Sequence, residues 1–280
     1  MLQTVPLPVP KEVLAAARDF MHARTIAFWG DHPELTKGEP TQYGSGVLLQ
    51  IADTHFIVTA QHVSEMFVAE GWSAYIAART DRFIPIKASL RMSKRADVAL
   101  MRLDDRVVAD LDGSGRRYTR MSEVEAHDPT DEAGGFYCAY GYPSVHSSTD
   151  HTAKLHTMTA VDCWGFPYSK EKEPIDGYDP ALHISIAFDR QMNPRPPGMS
   201  GCAMWRIHQG GVPTAGWSTN DIRLVAIEHT HAITDRALVG TRVGVLVAMA
   251  LKLDPTLAPV LDLGWPRRKR VSNERLVIDE

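Results

Sequence analysis

The chain has 280 residues, 44% of them hydrophobic and 23% charged, which is apolar material enough for one large all-β domain or two packed subdomains. Its formal net charge of -4 gives no whole-chain reason to expect a nucleic-acid partner. Three cysteines, Cys138, Cys163 and Cys202, show no CxxC pair and no structural zinc spacing, and they are too few for a disulfide-stapled secreted protein of this size.

The opening segment "MLQTVPLPVPKEVLAAARDF" lacks a charged stretch followed by a long apolar one, so no signal peptide is expected. No apolar run approaches the roughly 20 residues that cross a bilayer. No membrane partner and a cytoplasmic, reducing setting are the expectation. Residues 10–23 read as one helix. Val13, Leu14, Ala17, Phe20 and Met21 share a face, Lys11, Glu12, Arg18 and Asp19 take the other, and the helix is expected on the outside of the domain.

From residue 25 the period changes to two. Short strands are predicted at 25–29, 46–51, 55–60, 73–78, 82–90 and 97–103, with a helical turn at 61–68. Residues 104–132 are polar and acidic and read as a connection. A second set of strands is predicted at 135–141, 153–163, 182–188, 201–207, 224–231 and 241–247, then a C-terminal helix at 248–254. A long Pro- and Gly-containing loop, 164–180, interrupts that set. The basic run "PRRKR" at 266–270 reads as a solvated tail. The division expected is an N-terminal extension (1–23), a first β unit with its linker (24–130), a second β unit (131–264) and a charged tail (265–280). Many short strands of this kind indicate a sandwich or barrel.

Three segments carry the chemistry jointly. "GSGVLLQIADTHFIVTAQHV" (44–63) runs a hairpin into Thr59-Ala60-Gln61-His62. "ADVALMRLD" (96–104) opens an apolar strand with Asp97. "PPGMSGCAMW" (196–205) sets Ser200 beside Gly201, after Gly198-Met199. Each alone has a plain structural meaning: a strand-end histidine, a turn-capping aspartate, a turn serine.

Together, "TAQH", "DVALM" and "GMSGC", in that chain order, resemble the trypsin-like (chymotrypsin-fold) serine peptidases of bacterial or intracellular type. The resemblance covers roughly residues 25–252. It implies an all-β fold of two six-stranded antiparallel barrels, with an N-terminal and a short C-terminal helix. It implies a serine endopeptidase acting on protein or peptide substrates through an acyl-enzyme. Ser200 would be the nucleophile, His62 its base and Asp97 the group that orients His62. The backbone N–H groups of Gly198 and Ser200 would form the oxyanion hole. By the same resemblance the strand "LVAIEHTH" lines the cleft, with Glu228, Thr230 and His231 at a substrate pocket and Glu228 favouring Lys or Arg before the cut. Alternation turns His229 toward Asp97.

Met199 stands where the family has Asp or Asn, which excludes activation by pairing with a newly cut N-terminus. Met199 and Cys202 are expected in the core. No metal and no cofactor are expected, and His151, His156, His183 and His208 show no ligand spacing. A regulatory partner is compatible with the sequence but not identifiable from it. The alternative is a catalytically silent domain that binds peptides. An α/β-hydrolase is opposed by the residue order and by the absence of G-x-S-x-G around Ser200.

Overall fold

The computed structural model describes residues 10–34, 36, 40–69, 72–79, 82–86, 89–125, 136–150, 155–168, 177–188, 197–208, 217–232 and 236–264. His151, Pro196, the middle of the 164–180 loop and the basic tail lie outside them, and so does the placement of the His156 and His208 side chains.

Helix α1 (Lys11–Arg24) forms where the 3.6-residue period predicts it, and β1 (Thr25–Asp31) follows without a loop. The guanidinium of Arg116 closes the junction by donating to the carbonyls of His22 at 2.7 Å and Thr25 at 2.8 Å. The His22 carbonyl also accepts from the Thr25 N–H that closes the last turn. The helix lies on the outside as expected, with Lys11, Glu12, Arg18 and Asp19 exposed and one face packed inward. Ala17 and Met21 are fully buried and Phe20 meets Trp205 edge-on at 5.6 Å. The apolar stripe packs on the core shared by the two sheets, and the charged face stays in water.

The first sheet comprises β1, β2 (Thr41–Ile51), β3 (Thr54–Thr59), β4 (Ser73–Arg79), β5 (Arg82–Pro85), β6 (Ser89–Ser93), β7 (Val98–Arg102) and the short β8 (Thr119–Arg120). Its order is β5-β4-β1-β2-β3-β7-β6, all antiparallel, with β8 added in parallel to β2. The second sheet has the order β12-β9-β14-β15-β16-β13, all antiparallel. Its strands are β9 (Phe136–Gly141), β12 (Val161–Gly165), β13 (His183–Ala187), β14 (Ala203–His208), β15 (Arg223–Ala232) and β16 (Ala237–Arg242). A hairpin of β10 (Ser147–Asp150) and β11 (Leu155–Met158) stands apart. The chain is therefore all-β with two successive antiparallel units, in keeping with the two-barrel chymotrypsin-like expectation. The second sheet has the expected six strands and the first has eight.

Alternation along single strands sends neighbouring side chains to different apolar cores. Val47, Leu49 and Ile51 of β2 face the seam between the sheets, while Leu48 faces the interior of the first. Phe136, Cys138 and Tyr140 of β9 face the same seam, while Tyr137 and Ala139 face the interior of the second. Two elements differ from expectation. The connection after β7 contains helix α3 (Asp105–Gly113), begun by Asp104, whose carboxylate accepts from Val107 N at 2.8 Å. The run expected as a strand at 241–247 instead ends β16 at Arg242 and starts helix α4 (Val243–Leu253), ahead of the helix predicted at 248–254. Apolar on every side, α4 fills the seam, and an all-apolar run has no period to separate helix from strand. A short α5 (Ala258–Gly264) follows. Among the described residues, no single helix is long and apolar enough to cross a membrane.

Candidate active site

β3 ends at Thr59, and a one-turn helix α2 (Gln61–Ser64) begins two residues later, carrying His62. Asp97 lies in the turn before β7 at φ 45°, a left-handed conformation that Asp tolerates better than most side chains. That turn aims its carboxylate at His62. Asp97 Oδ1 accepts from His62 N at 3.2 Å, and His62 Nδ1 lies 3.1 Å from Oδ1 and 2.9 Å from Oδ2. A carboxylate on Nδ1 fixes the neutral imidazole with its proton there, which leaves Nε2 with a free lone pair.

Electrostatics agree with this arrangement. The hydrogen bond that His62 donates to Asp97 holds the His62 pKa above its usual 6.5, although burial opposes it. For Asp97, burial alone would raise the pKa. The hydrogen bond and charge of His62, with His229 behind, outweigh it and leave the pKa below the ordinary value. The His62 side chain is 45% exposed, so its free face opens to solvent.

Ser200 lies in a turn before β14 that abuts the end of β3, next to the helix that carries His62. Ser45 N donates to Ser200 O at 2.8 Å, and Gly201 N donates to Glu228 O at 2.7 Å. Gly201 has φ 88°, and a Cβ there would stand 2.0 Å from Thr59 Oγ1 and 2.2 Å from Ser45 O. Only glycine permits both the conformation and the approach. On the other side, a Cβ on Gly44 would meet Val63 Cγ1 at 2.6 Å and Ser200 O at 3.0 Å. The neighbour of His62 and the backbone of Ser200 thus close on the same glycine.

The shape of the loop before Ser200 is fixed by hydrogen bonds. Ser144 N donates to Pro197 O at 2.9 Å. In a trans peptide the C=O and N–H point oppositely, so the Gly198 N–H points away from Ser144. Among the described residues, no partner is recorded for the N–H of Gly198 or Ser200. The Gly198 carbonyl is held from below by Gln42 Nε2 at 3.1 Å and Ser45 Oγ at 3.4 Å. Gln42 also donates to the carbonyls of Gly44 at 2.9 Å and Tyr142 at 2.6 Å. Sequence reasoning missed Gln42 and Ser144; Ser45 stood in the quoted Gly-Ser-Gly entry without a role. Met199 and Cys202 are fully buried in the second sheet's interior, and Cys163 Sγ lies 3.8 Å from Met199 Sδ. All three cysteines are free and buried.

The pocket residues separate. Thr230 is exposed, and His231 is half-buried with its ring 4.6 Å from that of Phe188. Glu228 is only 2% exposed, and burial pushes its carboxyl up to about 8. A Lys or Arg preference needs an accessible carboxylate. This one is enclosed and holds its proton at neutral pH, so that preference does not follow from the structure. His229 points to Asp97, as alternation predicts, with Nδ1 3.7 Å from Oδ2. Among the described residues no group of three or more His, Cys, Asp or Glu is placed to hold a metal ion.

No protein-family model matches the chain, and no curated protein matches it. Among solved structures, the chain is similar to the active form of the Rv3671c protease from M. tuberculosis, at 17% identity over 90% of this chain and 91% of that one, with a TM-score of 0.49. It is also similar to the protease of tobacco vein mottling virus, at 9% identity over 85% and 83% of the two chains, with a TM-score of 0.46.

Proposed function

We propose that the protein is a serine endopeptidase that cleaves peptide bonds in protein or peptide substrates by a Ser200–His62–Asp97 mechanism, and that it acts in the cytoplasm. The observation that supports this most is the His62–Asp97 pair at 2.9 Å, just beyond the end of β3 against which the Ser200–Gly201 turn packs.

A serine hydroxyl is a weak nucleophile without a base in reach. In this reading His62 Nε2 removes the Ser200 proton as Oγ attacks the scissile carbonyl. Asp97 stabilises the imidazolium that forms, and His62 then gives the proton to the leaving amine. The carbonyl oxygen gains charge in the tetrahedral intermediate. The N–H groups of Gly198 and Ser200 are the donors offered to it, and the Ser144–Pro197 bond keeps the first of them turned away from Ser144. Water then cleaves the acyl-enzyme by the same steps in reverse roles.

A fluorophosphonate probe tests the reading without knowledge of the substrate. Wild type should be labelled on Ser200, and Ser200→Ala should not. On a cleavable peptide, that substitution should cost on the order of 10⁶ in kcat. Equal labelling of wild type and Ser200→Ala would remove Ser200 as the nucleophile. Peptide binding with an unlabelled wild type would favour the silent binding domain.

A further inference from the structure

Glu228 is a buried titratable group that the proposed mechanism does not use, and its main chain holds the nucleophile turn. Gly201 N donates to Glu228 O at 2.7 Å, and Glu228 N donates to Cys202 O at 2.8 Å. Cys202 N closes the turn on Met199 O at 2.8 Å. The turn that carries Ser200 is thus fastened to the backbone of one residue of β15. We propose that Glu228 is a positioning residue for this turn: its carboxyl, as the uncharged acid, seats the turn, and loss of the acid proton loosens it. The inference rests on the peptidase reading in taking Ser200 as the nucleophile.

The surroundings of the carboxyl favour the acid. Ala226 faces the interior of the second sheet and Ile227 the seam, so alternation turns Glu228 back to the interior. Glu228 is 2% exposed, and its Oε2 is sealed without a hydrogen-bond partner. A carboxylate shut away from water with no donor is costly, and the acid is the form that such a place admits. Met199, Cys202 and Cys163, all buried, form the apolar backing of the turn, with Cys163 Sγ 3.8 Å from Met199 Sδ.

The titratable groups acting on Glu228 come from four elements. Cys202 of the turn and Cys163 of β12 lie within range of its charge, and burial pushes both thiols up, so both stay uncharged. From the first unit, the charge of His62 favours ionisation of Glu228 and that of Asp97 opposes it. Among the described residues, no lysine or arginine acts on it. Burial outweighs His62 and pushes the carboxyl up to about 8. Above that point the interior holds a charge without a partner. Hydrating the charge needs a path to water, and the Glu228 main chain cannot shift without carrying Gly201 and Cys202 with it.

The pH dependence of fluorophosphonate labelling, followed to pH 9.5 in wild type, Glu228→Gln and Glu228→Met, tests the role, each protein being compared with its own maximum. Both substitutions keep the side-chain length and remove the titrating group. The wild-type rate should pass through a maximum and then fall about 5-fold or more by pH 9.5, with the far-UV circular dichroism of the folded chain retained. Both variants should lose that fall. Hydrogen exchange, corrected for the intrinsic pH dependence of amides, should show the Gly201 amide losing protection over the same range in wild type and keeping it in Glu228→Gln. A wild-type rate that holds to pH 9.5 would overturn the role. So would an equal fall in the variants, or a fall that coincides with loss of the far-UV signal. If neither variant folds, the wild-type exchange decides, and Gly201 protection that stays constant across the range overturns the role. A wild type that takes no label at any pH would count against the peptidase reading, and the Gly201 exchange would still decide the part played by Glu228.

Discussion

At the scale of single residues, the site depends on two unusual backbone positions. Asp97 at φ 45° puts its carboxylate on both the N–H and the ring of His62. The proposed mechanism uses His62 as a neutral base, and its pKa is held above 6.5, so labelling of Ser200 should rise with pH through a midpoint above 6.5. Asp97→Asn removes the main cause of that elevation. It should lower the midpoint and slow the reaction by about 10⁴-fold, because the imidazole loses its tautomer. A pH profile of the labelling rate checks both, and a wild-type midpoint below 6.5 would contradict the assignment. At Gly201, alanine would meet both the φ 88° backbone and the Thr59 and Ser45 oxygens. Gly201→Ala should cost at least about 2 kcal/mol in urea unfolding and displace Ser200 enough to abolish labelling. The motif letters of "TAQH" and "DVALM" singled out His62 and Asp97, while Gly201 drew notice only as the neighbour of Ser200. The left-handed turn at Asp97 was not visible, since no sequence mark separates it from a turn cap.

At the scale of elements, the Gly198 loop is held by the first residues of β2 and by the connection after β9. Gln42, 3% exposed, reaches three carbonyls that belong to three chain segments. Removing it leaves the Gly198 carbonyl only the longer 3.4 Å bond from Ser45 Oγ among the described residues. Gln42→Ala should slow labelling by about 10²-fold while far-UV circular dichroism stays unchanged, and a rate within threefold of wild type would show that the loop holds its own shape. Sequence periodicity placed β2 from residue 46, but the strand begins at Thr41. Gln42 and Gly44 break the apolar alternation because they serve the loop and the Ser200 approach. The predicted strand 82–90 is two strands at 82–85 and 89–93, and the predicted strand 153–163 is divided between the β10–β11 hairpin and β12. Pairing partners distant in sequence decide such breaks, and local composition does not record them.

At the scale of the whole molecule, two sheets pack across a seam filled by α1 and α4, and the candidate site sits where their loops meet. Burial of Glu228 in the second unit has a consequence for stability. Its folded-state pKa is raised from 4.5 to about 8, so the folded chain keeps a proton that the unfolded chain releases. The stability linked to it is fully present below pH 4.5 and is lost as pH rises through about 8. Across that window the slope is roughly 1 kcal/mol per pH unit. Glu228→Gln should flatten this part of the stability curve and leave the variant more stable than wild type at pH 8. Urea midpoints at pH 5 and pH 8 measure it, and parallel curves for the two proteins would show that Glu228 does not titrate in this range.

The order of His62, Asp97 and Ser200, the two sets of strands and the burial of Met199 and Cys202 were determined by the sequence alone. Alternation and short motifs are local, and they survive without knowledge of partners. The tertiary structure decided the rest. It made a helix of the valine-rich run after Arg242. It enclosed the Glu228 carboxyl and set His229 against Asp97. Each of these depends on what a residue meets from a distant part of the chain, because burial, and the pKa and conformation that follow from it, are properties of packed neighbours.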